Sequence, residues 1–313
     1  MSRLSRSAPA PSSNVPLSGS TYEQVKDPCP VHDGRRWHLF GTGIPEPGRF
    51  EVLHATSHEL RGPWTLTTPP RIPPLPGGCV AAPGVIAEGD QLHMFLQSDF
   101  NVLDGRVEHL VSDDAARSFR RVDTALLSVP NTDEAGIYDP HPAVIDGEAF
   151  LTYSAFSAIG SPDIHLARSL SGQWLGPWER LGPILRHEHV PFHNARGSLD
   201  YEWGLEGAQL LQLPDGAVLL TAVCFLPVGA AGSRQRVFLA IGDGPTGPFE
   251  LSGPLSMPAG SSGENGHACA VLENDDLFVF MQERSGAAGP WGYALEPVPL
   301  AHLPPPARAD VPA

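Results

Sequence analysis

Four residues able to take or give a proton stand at the heads of similar segments in this chain. Asp27 opens Asp27-Pro-Cys-Pro-Val-His-Asp-Gly, Asp139 opens Asp139-Pro-His-Pro-Ala-Val-Ile-Asp-Gly, Glu206 opens Glu206-Gly-Ala-Gln-Leu-Leu-Gln-Leu-Pro-Asp-Gly, and His267 follows Gly266 at the head of a fourth. A single Asp before proline is an ordinary turn or strand start. Acids that meet in one place are different, because they repel and raise one another's pKa, a strain that sites accept when chemistry needs it. Two carboxyls in different protonation states supply a general acid and a general base, and a third can hold the acid protonated and oriented.

A repeat is what would bring them together. With Ala82-Pro-Gly-Val-Ile-Ala-Glu-Gly-Asp added, five lines start at residues 27, 82, 139, 206 and 266, spaced 55, 57, 67 and 60 residues apart. Each is a short apolar run, an Asp-Gly or similar turn, and a second apolar run, which is the pattern of a β-hairpin. Further punctuation follows at Gly62-Pro63-Trp64, Ser118-Phe119, Gly176-Pro177-Trp178 and Gly247-Pro248-Phe249. Each unit therefore reads as four antiparallel strands, and five units as an all-β, five-bladed β-propeller with its site in the axial funnel. A β-sandwich would not need five self-similar hairpins. The column at the head of the innermost strands is Asp27, Ala82, Asp139, Glu206 and, shifted by one, His267. The expected organisation is a disordered tail over 1–20, one propeller domain over 21–300 and a Pro-rich tail over 301–313.

Composition agrees and excludes other classes. Of 313 residues, 33 are Gly and 34 Pro, which rules out a chain of long helices. Lys and Arg number 20 against 35 Asp and Glu, a net charge of −15 that argues against phosphate-backbone binding, so no nucleic-acid partner is expected. No apolar run is long enough to span a bilayer, and the first twenty residues lack the apolar core of a secretory signal. The four cysteines, Cys29, Cys79, Cys224 and Cys269, contain no CxxC pair and read as reduced thiols, so a cytoplasmic location is expected. Dinucleotide, P-loop, zincin and nucleophile-elbow motifs do not occur.

An acid and a base flanking a glycosidic bond are the minimal equipment for its hydrolysis. The segments KDPCPVHDGRRWHLFGTG, IYDPHPAVIDGEAFLTYSAF, LEGAQLLQLPDGAVLL and GHACAVLENDDLFVFMQER resemble the blade-opening motifs of glycoside hydrolase family 43, the five-bladed arabinanases, arabinofuranosidases and β-xylosidases. The resemblance runs in order over roughly residues 22 to 290. It implies an inverting glycosidase acting on a small pentose-containing carbohydrate, with Asp27 as general base, Asp139 as pKa modulator and Glu206 as general acid. It also implies that His267 approaches a calcium ion on the axis and that Arg284 reaches substrate hydroxyls. Trp203, just ahead of Glu206, is a candidate stacking platform, and His141, two residues past Asp139, a further substrate contact. The chain departs from the family at Ala81-Ala82-Pro83, where a tryptophan usually stands in the first place and walls the sugar site, and at Ala208, where proline is usual.

The run Arg186-His187-Glu188-His189-Val190-Pro191-Phe192-His193 is rich in potential metal ligands, but Pro191 breaks its spacing and a solvated loop is the expectation. The alternative to hydrolysis is a carbohydrate-binding or repurposed biosynthetic propeller using the same cavity, since one propeller fold hosts many functions.

Overall fold

The computed structural model describes residues 13–19, 21–99, 103–158, 160–190, 204–227, 233–254, 263–285 and 289–305. They form five sheets arranged as the blades of a propeller. Blade 1 runs outward through Gln24–His32, Trp37–Glu46, Arg49–Ser57 and Trp64–Leu66. Blades 2 and 3 comprise Val80–Glu88, Gln91–Ser98, Arg106–Ser112 and Arg120–Leu127, then Gly136–Ile145, Glu148–Phe156, Asp163–Ser169 and Trp178–Leu185. Blade 4 comprises Glu206–Gln212, Val218–Pro227, Ser233–Gly242 and Phe249–Pro254, and blade 5 Glu264–Glu273, Asp276–Arg284 and Gly292–Val298.

The first hairpin of each blade turns where the sequence predicts. In blade 3 the turn Asp146-Gly147 has φ of 51° and 79°, the left-handed pair that a two-residue hairpin loop requires and that Asp-Gly adopts readily. Blade 5 uses Asn274-Asp275 in the same conformation.

Two short strands near the N-terminus close the ring. Ser13–Asn14 pairs antiparallel with Gly292–Val298 as the fourth strand of blade 5, and Leu17–Ser18 lies parallel to Trp64–Leu66 as a fifth strand of blade 1. The expected tail over 1–20 is thus in part a clasp: residues 13–18 leave one blade and enter the next. Strands of two residues carry no alternation to read, which is why a Ser- and Pro-rich stretch looks unstructured. At the other end Leu300–His302 forms one 3-10 turn.

The core lies between blades. Its buried apolar residues fall into five clusters, each bridging two neighbouring sheets: Leu39 with Phe280, Met94 with Phe40, Phe95 with Leu151, Leu166 with Leu220, and Leu239 with Val279. Burial of this kind contributes about 25 cal/mol per Å² of apolar surface, and it fixes where the innermost strands stand around the axis.

Candidate active site on the propeller axis

Every innermost strand breaks its pairing register at the same place: between Lys26 and Cys29, Ala81 and Gly84, Tyr138 and His141, Glu206 and Gln209, and Gly266 and Ala268. These are five equivalent β-bulges, a device that re-aims side chains. At each bulge one residue takes a positive φ: Asp27 (54°), Ala82 (47°), Asp139 (51°), Gly207 (57°) and His267 (25°). The structural column is therefore Asp27, Ala82, Asp139, Gly207 and His267. The column expected from sequence placed Glu206 in register and His267 one residue off; the reverse holds. Glycine occupies the left-handed position in blade 4, where it needs no tolerance of strain, and the acid stands one residue earlier.

A left-handed Asp, Ala or His costs about 1–2 kcal/mol, so something must hold it. At four of the five bulges a clasp between blades does so. The Ala82 N–H donates to Thr42 Oγ1 at 2.9 Å, the Asp139 N–H to Gln97 Oε1 at 2.6 Å, the Gly207 N–H to Ser154 Oγ at 3.3 Å and the Asp27 N–H to Gln282 Oε1 at 2.9 Å. Each acceptor sits at one position of a second strand, opposite the residue before the bulge of its own blade, and reaches the bulge of the next. In blade 4 that position is Val223, which has no side-chain acceptor.

The bulges bring Asp27, Asp139, Glu206 and His267 together, all buried. His267 Nδ1 lies 3.0 Å from Asp27 Oδ1, and its Nε2 lies 3.3 Å from Glu206 Oε2 and 3.5 Å from Asp139 Oδ2. The Thr42 hydroxyl donates to Asp27 Oδ2 at 2.6 Å. No donor is aligned with Asp27 Oδ1 or Asp139 Oδ2 among the described residues. A hollow of about 70 Å³ adjoins the four, lined also by Lys26, Thr42, Phe50, Ala81, Gln97 and Tyr138.

Protonation divides these groups. Burial works to raise the Asp27 carboxyl, but the charges of His267 and Lys26 and the Thr42 hydroxyl overcome it and hold Asp27 well below the usual carboxylate range. Burial, with the charges of Glu206 and Asp27, pushes Asp139 up to about 7, opposed by His267. Burial alone would lower the imidazole of His267, yet the carboxylates of Asp139 and Asp27 raise it well above its ordinary value. One cation thus stands among three acids.

That arrangement bears on calcium. Asp139, Glu206 and His267 offer three donor atoms within 4.8 Å of one another. Calcium takes six to eight oxygens, and both ring nitrogens of His267 already face carboxylates, so neither points toward a separate, water-coordinated ion. The residues present fit calcium poorly, and the positive charge such an ion would bring is supplied by the imidazolium.

Arg284 and His141 lie outside this group of acids. Arg284 donates through Nε and Nη2 to Glu264 Oε2 at 3.1 and 2.8 Å and stacks over Trp291, with 4.5 Å from its Cζ to the ring centre; it does not line the hollow. His141 stands past the bulge, on the inner stretch of the channel, with Nε2 3.6 Å from both Cys29 Sγ and Cys269 Sγ. Trp203 and His193 lie outside the described residues. His187 is held by Asp163, Nδ1 to Oδ1 at 2.7 Å, and among the described residues it and His189 belong to no group of three potential ligands. Sequence reasoning missed Thr42 and Phe50. Thr42 was findable as one of a series, Thr42, Gln97, Ser154 and Gln282, at a fixed place in the second strands.

No family model matches the sequence, and no curated protein matches it. Solved structures do match in fold. An α-L-arabinanase of Cellvibrio cellulosa complexed with arabinohexaose superposes with a TM-score of 0.65 at 15% identity, over 88% of this chain and 91% of that one. A family GH43 endo-arabinanase of Bacillus licheniformis gives 0.62 at 16%, over 88% and 94%, and a family GH32 β-fructofuranosidase of Bombyx mori 0.65 at 16%, over 88% and 60%. What the chain shares with these enzymes is the five-bladed propeller.

Proposed function

We propose that this protein is a glycoside hydrolase that cleaves an arabinofuranosyl or xylosyl glycoside with inversion, Asp27 acting as base, Glu206 as acid and Asp139 as the group that orients the acid. The observation that carries this reading is the convergence of three carboxyls from three blades on one axial hollow, in a fold shared with arabinanases. Asp27 is held ionised, the state in which a carboxylate can take a proton from water. In the reaction the water oxygen bonds to the anomeric carbon as its proton passes to Asp27. The bond to the leaving oxygen breaks, and that oxygen takes the proton of Glu206. Attack on the face opposite the leaving group inverts the centre, which requires the two carboxyls to stand roughly 6.5–9.5 Å apart. Their contacts with opposite nitrogens of one imidazole are in keeping with such a separation.

One observation favours a second reading, a carbohydrate-binding or repurposed propeller. His267 lies at ion-pair distance from all three acids and offsets part of their charge, as in a structural cluster. Turnover separates the two. Arabino- and xylo-oligosaccharides and nitrophenyl pentosides are assayed with the wild type and Glu206→Gln, and the first-formed anomer is followed by NMR. The variant should lose about 10²–10⁴-fold on oligosaccharides and much less on nitrophenyl glycosides, whose leaving group needs no proton. Retained sugar binding without turnover of any substrate supports the second reading instead.

A further inference from the structure

Below the acids, the same bulges place a second set of side chains on the axis. Cys29, His141 and Cys269 each stand two residues past a column residue, Asp27, Asp139 and His267, on the innermost strands of blades 1, 3 and 5. They are drawn from positions as far apart as 29 and 269, and Cys29 and Cys269 are 2% exposed. His141 Nε2 is 3.6 Å from each sulfur, and the three ligand atoms lie within 4.8 Å of one another. A hollow of about 30 Å³ borders Cys29, His141 and the column residues.

We propose that Cys29, Cys269 and His141 form a zinc site in the axial channel, distinct from the acid cluster. The spacing would accommodate an ion: Zn–S near 2.3 Å and Zn–N near 2.0–2.1 Å at a tetrahedral angle put sulfur and nitrogen about 3.6 Å apart. The imidazole is oriented for it. Nδ1 lies 3.0 Å from the Pro142 carbonyl oxygen, so Nδ1 carries the proton and the lone pair of Nε2 faces the two sulfurs, the outer-shell arrangement of a metal-ligating histidine. The Val85 N–H donates to Cys29 Sγ at 3.2 Å, and the same sulfur lies 3.6 Å from the Val85 carbonyl oxygen. The hollow that Cys29 and His141 border has room for a water, which would complete four-coordination. Two thiolates and an imidazole are a soft set that suits zinc and is wrong for calcium or magnesium. The ion would tie blades 1, 3 and 5 together across the axis.

The test is metal uptake by the full-length protein, reduced and stripped with a chelator. Zinc should bind at one equivalent per chain and raise Tm by about 5 °C at a hundredfold excess over Kd. Cobalt(II) in its place should give a thiolate-to-metal charge-transfer band. Cys29→Ser and Cys269→Ser should each abolish or halve that band, His141→Gln should weaken binding at least tenfold, and Cys79→Ser, at a half-buried cysteine off the axis, should change nothing. Absence of uptake by the wild type overturns the proposal whatever the variants do. So does a cobalt spectrum unchanged in Cys29→Ser, or the loss of two titratable thiols to a disulfide in reductant-free buffer with no uptake after reduction. None of these readouts depends on glycosidase activity.

Discussion

His267 stands between Asp27 and Glu206, with Nδ1 3.0 Å from one carboxylate and Nε2 3.3 Å from the other. A buried imidazolium there offsets acid–acid repulsion that would otherwise open the axis. Removing one member of a buried ionic cluster typically costs about 3–5 kcal/mol. His267→Ala should therefore lower both Tm and turnover, whereas His267→Gln, similar in size but uncharged, should keep more of the packing and still lose activity. Calcium added to chelated His267→Ala should restore neither. Recovery with calcium, measured by thermal melts and initial rates, would show that an ion and not the imidazolium supplies the charge.

Thr42 joins two jobs in one hydroxyl. It donates to Asp27 Oδ2 at 2.6 Å and accepts the Ala82 N–H at 2.9 Å, so it positions the base and clasps blade 1 to blade 2. Thr42→Val keeps the shape and deletes both bonds. It should lower kcat about tenfold or more while shifting the acid limb of the pH–rate profile upward, because Asp27 loses a bond that favours its charged form. Thr42→Ser should restore both. A loss of Tm with kcat and pH profile unchanged would make Thr42 a structural clasp alone.

How far the sequence showed this site depends on the bulge. The repeat and its turns are local and legible: Asp146-Gly147 and Asn274-Asp275 announce their hairpins without tertiary information. The bulge is not, since one inserted residue reverses which side chains face inward, and so Glu206 was aligned with Asp27 when Gly207 is its structural equivalent. Cys29, His141 and Cys269 sat in the aligned lines all along, yet spacing along the chain makes the cysteines look unrelated; only the fixed offset of two from the bulge joins them. Ser13–Asn14 is too short to carry a pattern, and its pairing with blade 5 exists only once the ring closes.

Glu296 carries a pH dependence of stability. It is 3% exposed on the third strand of blade 5, and burial together with the nearby Glu283 charge pushes its carboxyl up to about 7. The folded protein holds this proton more tightly than the unfolded chain does. Its contribution is therefore fully present below the ordinary glutamate value and is lost as pH rises toward 7. Glu296→Gln cannot lose a proton, so its Tm relative to wild type should climb between pH 5 and pH 8. A constant difference across that range would show that Glu296 titrates normally.

Phe50 is the aromatic that the structure supplies where the sequence suggested a missing wall. Ala81 lines the hollow at the position where the resembled family carries tryptophan, and Phe50, from the third strand of blade 1, lines the same hollow. If the ring packs against a bound sugar, Phe50→Ala removes contact made alike in ground and transition states. KM then rises with kcat nearly unchanged, because uniform binding is what has been lost. Phe50→Trp should keep or lower KM. Aromatic packing of this kind contributes about 1 kcal/mol, so the expected rise is roughly fivefold. Equal KM values for wild type and Phe50→Ala on every oligosaccharide turned over would place the sugar away from blade 1, and a fall in kcat without a change in KM would assign Phe50 to holding Asp27 and Lys26 in place.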